Sequence, residues 1–185
     1  SEYGAGASIH HHWLPGESRP EPRGRFHGEE RQALVHESNL EAFQSRPYLW
    51  SKIIWVFSDF HSSIRKEGDR DGFNDKGLVT RDRKTKKDVF YLYKSWWNHS
   101  EETVYIAGKR LAKRPEGEEF TLTVYSNASS LKLYDNGVLA AEQTSSGEDS
   151  GVIWKFPGLK VGPHGSTFTV VSSSGRSDNV TFQVL

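Results

Sequence analysis

Sulfur is missing altogether: the 185 residues contain neither cysteine nor methionine. Without cysteine there is no disulfide, no thiolate metal ligand and no cysteine nucleophile. A translated polypeptide begins with methionine, and this one opens Ser1-Glu-Tyr-Gly with no signal-peptide pattern, so the chain is expected to be a piece of something longer. An excess of either charge is missing too, since 24 Lys+Arg are balanced by 24 Asp+Glu. That balance argues against a partner held by whole-surface electrostatics, so neither nucleic acid nor an anionic membrane is expected. No apolar run approaches the roughly 18 residues of a membrane-crossing helix. Aromatic residues are plentiful, at 12%, and a disordered chain would be poorer in them. The length fits one large domain or two small ones.

Composition shifts near residue 100. All but one of the six Trp lie before it, the exception being Trp154. The second part is rich in Ser, Thr, Val and Gly, and it alternates. Phe120–Tyr125, Leu131–Tyr134, Val152–Phe156, Phe168–Val171 and Val180–Leu185 each place apolar side chains at every second position. That period puts one face of a strand against a core. Asn136-Gly137 reads as a tight hairpin turn, because both residues tolerate positive φ. The pattern predicts a β-sandwich of about seven strands, immunoglobulin-like in style but without the cysteine pair. Leu111–Glu118 reads as a charged linker or an edge segment.

The first part reads differently. Gly28–Arg46 is predicted to be helical, with Ala33, Leu34, Leu40 and Phe43 as a partial apolar stripe and Pro47 as its end. Ile53–Phe57 is a continuous apolar run that predicts a strand buried on both faces. Lys86–Trp97 is a second predicted helix, with Val89, Phe90, Tyr93 and Trp97 on one side. Helix, buried strand, long loop and helix make the tail of an α/β repeat, with too few strands to close a barrel or sheet by itself.

Three motifs converge on one family. They are Ser1-Glu-Tyr-Gly-Ala5; Trp55-Val-Phe-Ser-Asp-Phe60; and Gly72-Phe-Asn-Asp-Lys-Gly-Leu-Val-Thr-Arg-Asp-Arg83, followed by Lys87–Trp96. In that order and spacing they closely resemble the end of the catalytic domain of glycoside hydrolase family 2. Its members include β-galactosidases, β-glucuronidases and β-mannosidases. The resemblance implies an α/β plus all-β chain. Residues 1–100 would be the last two βα units of a (β/α)8 barrel, and residues 101–185 the immunoglobulin-like sandwich that follows it. It further implies no cofactor, a carbohydrate substrate, and a partner in the missing N-terminal part of the same enzyme. Family members are often oligomers, so self-association stays open. A periplasmic or secreted setting is favoured, with the cytoplasm as the alternative.

In such barrels active residues sit at the C-terminal ends of the strands. Glu2 occupies the position of the family's catalytic nucleophile. A retaining glycosidase needs a second carboxyl group about 5–5.5 Å away to protonate the leaving oxygen. In the family that group belongs to an Asn-Glu pair, and no Asn-Glu occurs here. The chain alone is therefore expected to be inactive. The plainer reading of Glu2 is an exposed glutamate near a frayed end. Tyr3 would assist only if its side chain turned inward.

The substrate-binding candidates are Trp55, Asp59, Asn74 and Lys76. Indole packs well on the C–H faces of sugars, although Trp55 also fits plain core packing. Asp59 would bind a sugar hydroxyl or order its loop. Asn74-x-Lys76 resembles the pair that binds the uronic acid carboxylate in β-glucuronidases, and an ammonium beside an amide suits a carboxylate. Asn-Asp-Lys-Gly also occurs in β-galactosidase-like members, where the lysine has no such role, so the motif does not choose between a neutral galactoside and a glucuronide. Asp75 between Asn74 and Lys76 could neutralise the lysine, and a structural clasp is the alternative. His10-His11-His12 points its rings in diverging directions, so no metal site is expected. Gly68–Gly72 loosely matches a calcium loop but lacks the acidic spacing. Arg81–Lys87 reads as a solvated connector, and Asp88 as a carboxylate suited to a helix N-terminus. The favoured reading is the C-terminal portion of a retaining exo-β-glycosidase, β-galactosidase-like. β-Glucuronidase and a non-catalytic carbohydrate-binding or assembly module are the alternatives.

Overall fold

The computed structural model describes all residues except 1, 14–16, 19–20, 22–26, 66–70 and 146–150, together with the backbone but not the side chain of Glu2. It divides into two compact units, residues 1–90 and 91–185.

In the first unit β1 (Glu2–Tyr3) is followed by α1 (Glu29–Gln44), β2 (Ile53–Ile54), β3 (Phe60–His61) and β4 (Phe73–Asn74). β1 and β2 run parallel, with Glu2 beside Ile53 and Tyr3 beside Ile54. β3 and β4 form a short antiparallel pair. Helix α1 starts after Gly28, whose extended backbone ends the preceding loop, and stops before Pro47. Its inner face is not the predicted apolar stripe. Ala33 and Leu40 are buried as expected, but Leu34 is exposed, and Gln32 and His36 are fully enclosed in its place.

Two further expectations need correction. The run Ile53–Phe57 was expected to be a strand buried on both faces. Only Ile53 and Ile54 are strand, and Ile53, Trp55 and Phe57 are 54%, 40% and 54% exposed. The cause is pairing: β1 takes one edge of β2, and beyond Trp55 the chain bonds to the irregular segment 76–79 instead of to another strand. The second helix, α2 (Asp88–Trp97), starts two residues later than predicted. Lys86 bridges to Val79 and the Lys87 N–H donates to the Leu78 carbonyl, which holds both lysines in extended pairing. Val89, Leu92 and Tyr93 are its buried apolar residues, while Trp97 is half exposed. The division between the units falls inside this helix.

The second unit is a two-layer β structure. Its strands are β5 (Val104–Ile106), β6 (Lys113–Arg114), β7 (Phe120–Ser126), β8 (Ser130–Asp135), β9 (Val138–Thr144), β10 (Ile153–Leu159), β11 (Ser166–Ser172) and β12 (Ser177–Val184). One sheet has the order β10-β7-β5 and the other β6-β12-β11-β8-β9. All pairs are antiparallel except β6 with β12. Alternate residues from both sheets fill one core, with Leu122, Val124, Leu133, Phe156, Phe168 and Phe182 at most 1% exposed. Phe120, Phe168 and Phe182 meet at ring separations of 5.6–6.0 Å, with Phe120 edge-on to both others, a geometry aromatic rings prefer. The Arg114 guanidinium lies over Phe120 and Phe182, so the 111–118 segment supplies an edge strand whose cation covers the core. The Asn136-Gly137 turn joins β8 to β9, with φ of 48° and 82° as a type I′ hairpin requires. Asn127 ties the segment before β5 to the sandwich: its Oδ1 accepts from the Thr103 N–H, and its Nδ2 donates to the Asn98 and Glu101 carbonyls.

Candidate active site

The segments that carry the candidate residues meet at the end of β2. On one side the Trp55 N–H donates to the Tyr3 carbonyl at 2.8 Å, which extends the β1 pairing by one residue. The next residue, Gly4, passes so close that a Cβ there would fall 1.8 Å from the Trp55 carbonyl oxygen. On the other side the Val56 N–H donates to the Lys76 carbonyl, and the Leu78 N–H donates back to Val56. The Trp55-Val56 peptide is cis. Three segments that carry candidate residues are therefore joined by backbone bonds: the strand of Glu2, the end of the Trp55 strand, and the loop of Asn74 and Lys76. The structure places the backbone of Glu2 in register with Ile53.

Trp55 is 40% exposed, and its ring meets Phe60 edge-on at 6.0 Å. The described residues therefore leave part of the indole uncovered. Asn74 is buried, and its Oδ1 accepts from the Lys76 N–H at 3.2 Å. That is an Asx turn, and it fixes the backbone of the lysine. Lys76 is half-buried as a residue, and its ammonium has no hydrogen-bond or ion-pair partner among the described residues. No ion pair joins Asp75 to Lys76. Asp75 is buried, with Oδ1 turned onto Gly6, where an added Cβ would lie 2.5 Å from it.

Beneath this loop is a polar clasp. Asp59 is buried, and its Oδ1 accepts from the Gly77 N–H at 2.8 Å and from Lys87 Nζ at 2.9 Å. Lys87 is 1% exposed and also donates to the Ala7 carbonyl at 2.7 Å and the Asp75 carbonyl at 2.8 Å. The amide of Gln32, on α1, donates to the Ala5 and Gly77 carbonyls. Gly77 must be glycine, since a Cβ would lie 2.2 Å from the Asp59 nitrogen. Asp59 thus orders its loop, one of the two roles expected for it. A cavity of about 540 Å³ is lined by Ala7, Asp59 and Asp75 of this clasp, with Ser8, His10 and Arg81 among its other walls.

Lys87 and Gln32 were not visible to sequence reasoning. Lys87 was expected to be the solvated last member of the run 81–87, in which 81–84 and Lys86 are indeed exposed. No local signal separates it from Lys84 or Lys86, because its three acceptors come from distant parts of the chain. Asp88 lies in the first turn of α2, as expected. His12 pairs with Glu30 at 3.1 Å, and the described residues contain no group of three His, Asp or Glu able to hold a metal ion. The calcium-like stretch Gly68–Gly72 lies largely outside the described residues.

Tyr3 turns toward α1, where its ring packs on His36 at 5.1 Å and Phe43 at 5.2 Å. Burial pushes its hydroxyl pKa above the ordinary value, so it stays protonated. His36 is fully enclosed. Burial first, and the Lys87 charge second, push its pKa down to about 4. The folded chain then binds fewer protons than the unfolded chain between pH 6.5 and 4. Stability is full above that window and falls as pH drops through it, by about 3 kcal/mol at the lower end. In urea titrations at pH 7 and pH 4, His36→Leu is expected to remove that part of the acid loss. An unchanged acid slope would contradict it.

No family model matches the chain. A β-glucuronidase of Bacteroides fragilis is 39% identical over 183 residues, which is 99% of this chain and 26% of the relative. The solved structure of an FMN-binding β-glucuronidase from Facaelibacterium prausnitzii L2-6 superimposes with a TM-score of 0.84 at 36% identity, covering all of this chain and 26% of that one. A putative β-galactosidase from Bacteroides fragilis gives a TM-score of 0.86 at 27% identity over 99% of this chain and 27% of its own. The chain spans about a quarter of the length of these proteins. Its relatives are glycoside hydrolases, and nearly its whole length is similar to one portion of a β-glucuronidase.

Proposed function

We propose that this chain is the C-terminal portion of a retaining exo-β-glycosidase of glycoside hydrolase family 2, and that the sugar is a glucuronide. In this reading residues 1–100 complete a (β/α)8 barrel and residues 101–185 form the immunoglobulin-like domain that follows it in sequence. The observation that carries the choice of sugar is the ammonium of the half-buried Lys76, without a protein partner among the described residues and anchored through the Asn74 turn beside the end of the Trp55 strand. A cation left unpaired in a partly enclosed place suits a ligand that brings a carboxylate. A neutral galactoside would leave it unpaired. The galactoside favoured from the sequence therefore becomes the alternative, and the identity to a β-glucuronidase leans the same way.

The mechanism assigns one carboxylate to this chain. Glu2, ionised, attacks the anomeric carbon. The bond from its oxygen to that carbon forms as the glycosidic C–O bond breaks, and the leaving oxygen takes a proton from an acid on the remaining polypeptide. Water, deprotonated by the same group, then attacks the carbon from the opposite side and frees Glu2. Trp55 offers a sugar platform, Lys76 and Asn74 take the carboxylate, and the Asp59–Lys87 clasp holds their loop. The chain alone has half of the catalytic pair and is inactive in this reading.

Nitrophenyl β-glucuronide and β-galactoside assayed on the complete polypeptide test it. The expected kcat/KM ratio is at least about 100 in favour of the glucuronide, the discrimination a buried charge-assisted contact of ~3 kcal/mol gives. A ratio near or below one would reject the glucuronide. No turnover of any glycoside would reject the enzyme and leave the binding module.

A further inference from the structure

The Lys87 ammonium has three hydrogens and three acceptors, each on a different stretch of chain: the Ala7 carbonyl after the Glu2 strand, Asp59 Oδ1 after Trp55, and the Asp75 carbonyl. Lys76 lies between two residues held by this one ion pair. Asp75 is gripped through its carbonyl by Lys87, and Gly77 through its N–H by Asp59. We infer that Lys87 is a positioning residue for recognition of the sugar's carboxylate, setting where the Asn74–Lys76 loop stands against the Trp55 strand. The inference rests on the reading of Lys76 given above.

The physical case is one of constraint. The Lys76 side chain is long and flexible, so its selectivity depends on where its backbone is anchored. The Val56 bond to the Lys76 carbonyl and the Gln32 bond to the Gly77 carbonyl are each 3.2 Å or longer, and neither carries a charge. The Ala7 and Leu78 N–H groups add neutral bonds of 3.0 Å, to the Asp75 and Val56 carbonyls. The Lys87 contacts are 2.7–2.9 Å, enclosed and joined to a carboxylate, so they are the charge-assisted ties on the loop. Lys87 itself is 1% exposed, and its ammonium is already filled, which leaves it no bond for a substrate. Its effect must pass through Lys76 and Asn74.

The test uses the complete polypeptide and two nitrophenyl substrates that differ only at C6, the β-glucuronide and the β-glucoside. Lys87→Met keeps the side-chain length and removes all three bonds. It is expected to lower the glucuronide-to-glucoside ratio of kcat/KM at least tenfold, mainly through the KM of the glucuronide. Lys76→Met is expected to lower the ratio further. The double variant should match Lys76→Met alone, because Lys87 acts through that residue. A folded Lys87→Met enzyme with an unchanged ratio, both substrates slowing equally, would overturn the inference. So would an additive loss in the double variant. If Lys76→Met itself leaves the ratio intact, the glucuronide reading fails rather than the clasp alone. Should Lys87→Met not fold, Asp59→Asn removes the counter-charge and keeps the acceptor. It is expected to lower the ratio three- to tenfold, and an unchanged ratio in that folded variant counts against the inference.

Discussion

In the complete enzyme, Glu2→Ala is expected to lower kcat/KM on a glucuronide by 10⁴-fold or more. The attacking carboxylate forms a bond in the transition state, so its loss falls on kcat and not only on binding. Removing a covalent nucleophile costs on the order of 10⁴–10⁶ in rate, or about 5–8 kcal/mol of barrier. The same variant has a second signature. With the carboxylate gone, azide can enter from the same side and attack the anomeric carbon directly. The product is then an α-glycosyl azide, inverted relative to the substrate, where the parent retains configuration. Glu2→Gln tests charge apart from shape and should be nearly as inactive. A Glu2→Ala enzyme with more than a few per cent of parent activity would move the nucleophile elsewhere.

The next largest effect is expected at Lys76. A charge-assisted bond to a carboxylate is worth about 1.5–3 kcal/mol, and its loss leaves the substrate's charge unpaired in a partly enclosed site. Lys76→Met should therefore lower kcat/KM on the glucuronide about 100-fold and leave a neutral glycoside within threefold of its parent value. Asn74→Ala should do less, about tenfold, because it removes one amide and the turn that sets the lysine's backbone but keeps the cation. If Lys76→Met slows neutral and acidic substrates equally, the lysine is a structural clasp.

How much of this was legible in the sequence depended on whether a residue's environment is local. The alternation in Phe120–Tyr125 and Phe168–Val171 marked core strands because neighbours two apart share a face, and those strands are present as β7 and β11. Asn136-Gly137 marked its hairpin because positive φ is a property of the turn residues themselves. Strand β9 was implied by that turn but not by its own residues. It lies at a sheet edge with Val138 and Leu139 exposed, and its Ala, Glu and Gln carry no strand signature. Ile53–Phe57 misled in the opposite direction, since hydropathy reports what can be buried and not whether neighbouring strands are there to bury it. In the site, Trp55, Asn74 and Lys76 were reached through the order of the motifs, and backbone bonds bring their segments together. Gln32, His36 and Lys87 were missed for a common reason. Each is a polar residue enclosed by partners from distant segments, and neither charge runs nor helical periodicity registers such a contact. The clasp that holds the loop is the part of the site least visible in one dimension.

The most direct test is to trap the covalent intermediate. A 2-deoxy-2-fluoro glucuronosyl fluoride slows both steps by destabilising the oxocarbenium-like transition state, and its good leaving group lets the sugar–enzyme ester accumulate. Digestion and mass spectrometry of the complete enzyme should then find one fluoroglucuronosyl unit on the peptide containing Ser1-Glu2-Tyr3, with fragmentation placing it on Glu2. A label on any other carboxylate, or turnover with no covalent adduct and an inverted product, would contradict the account.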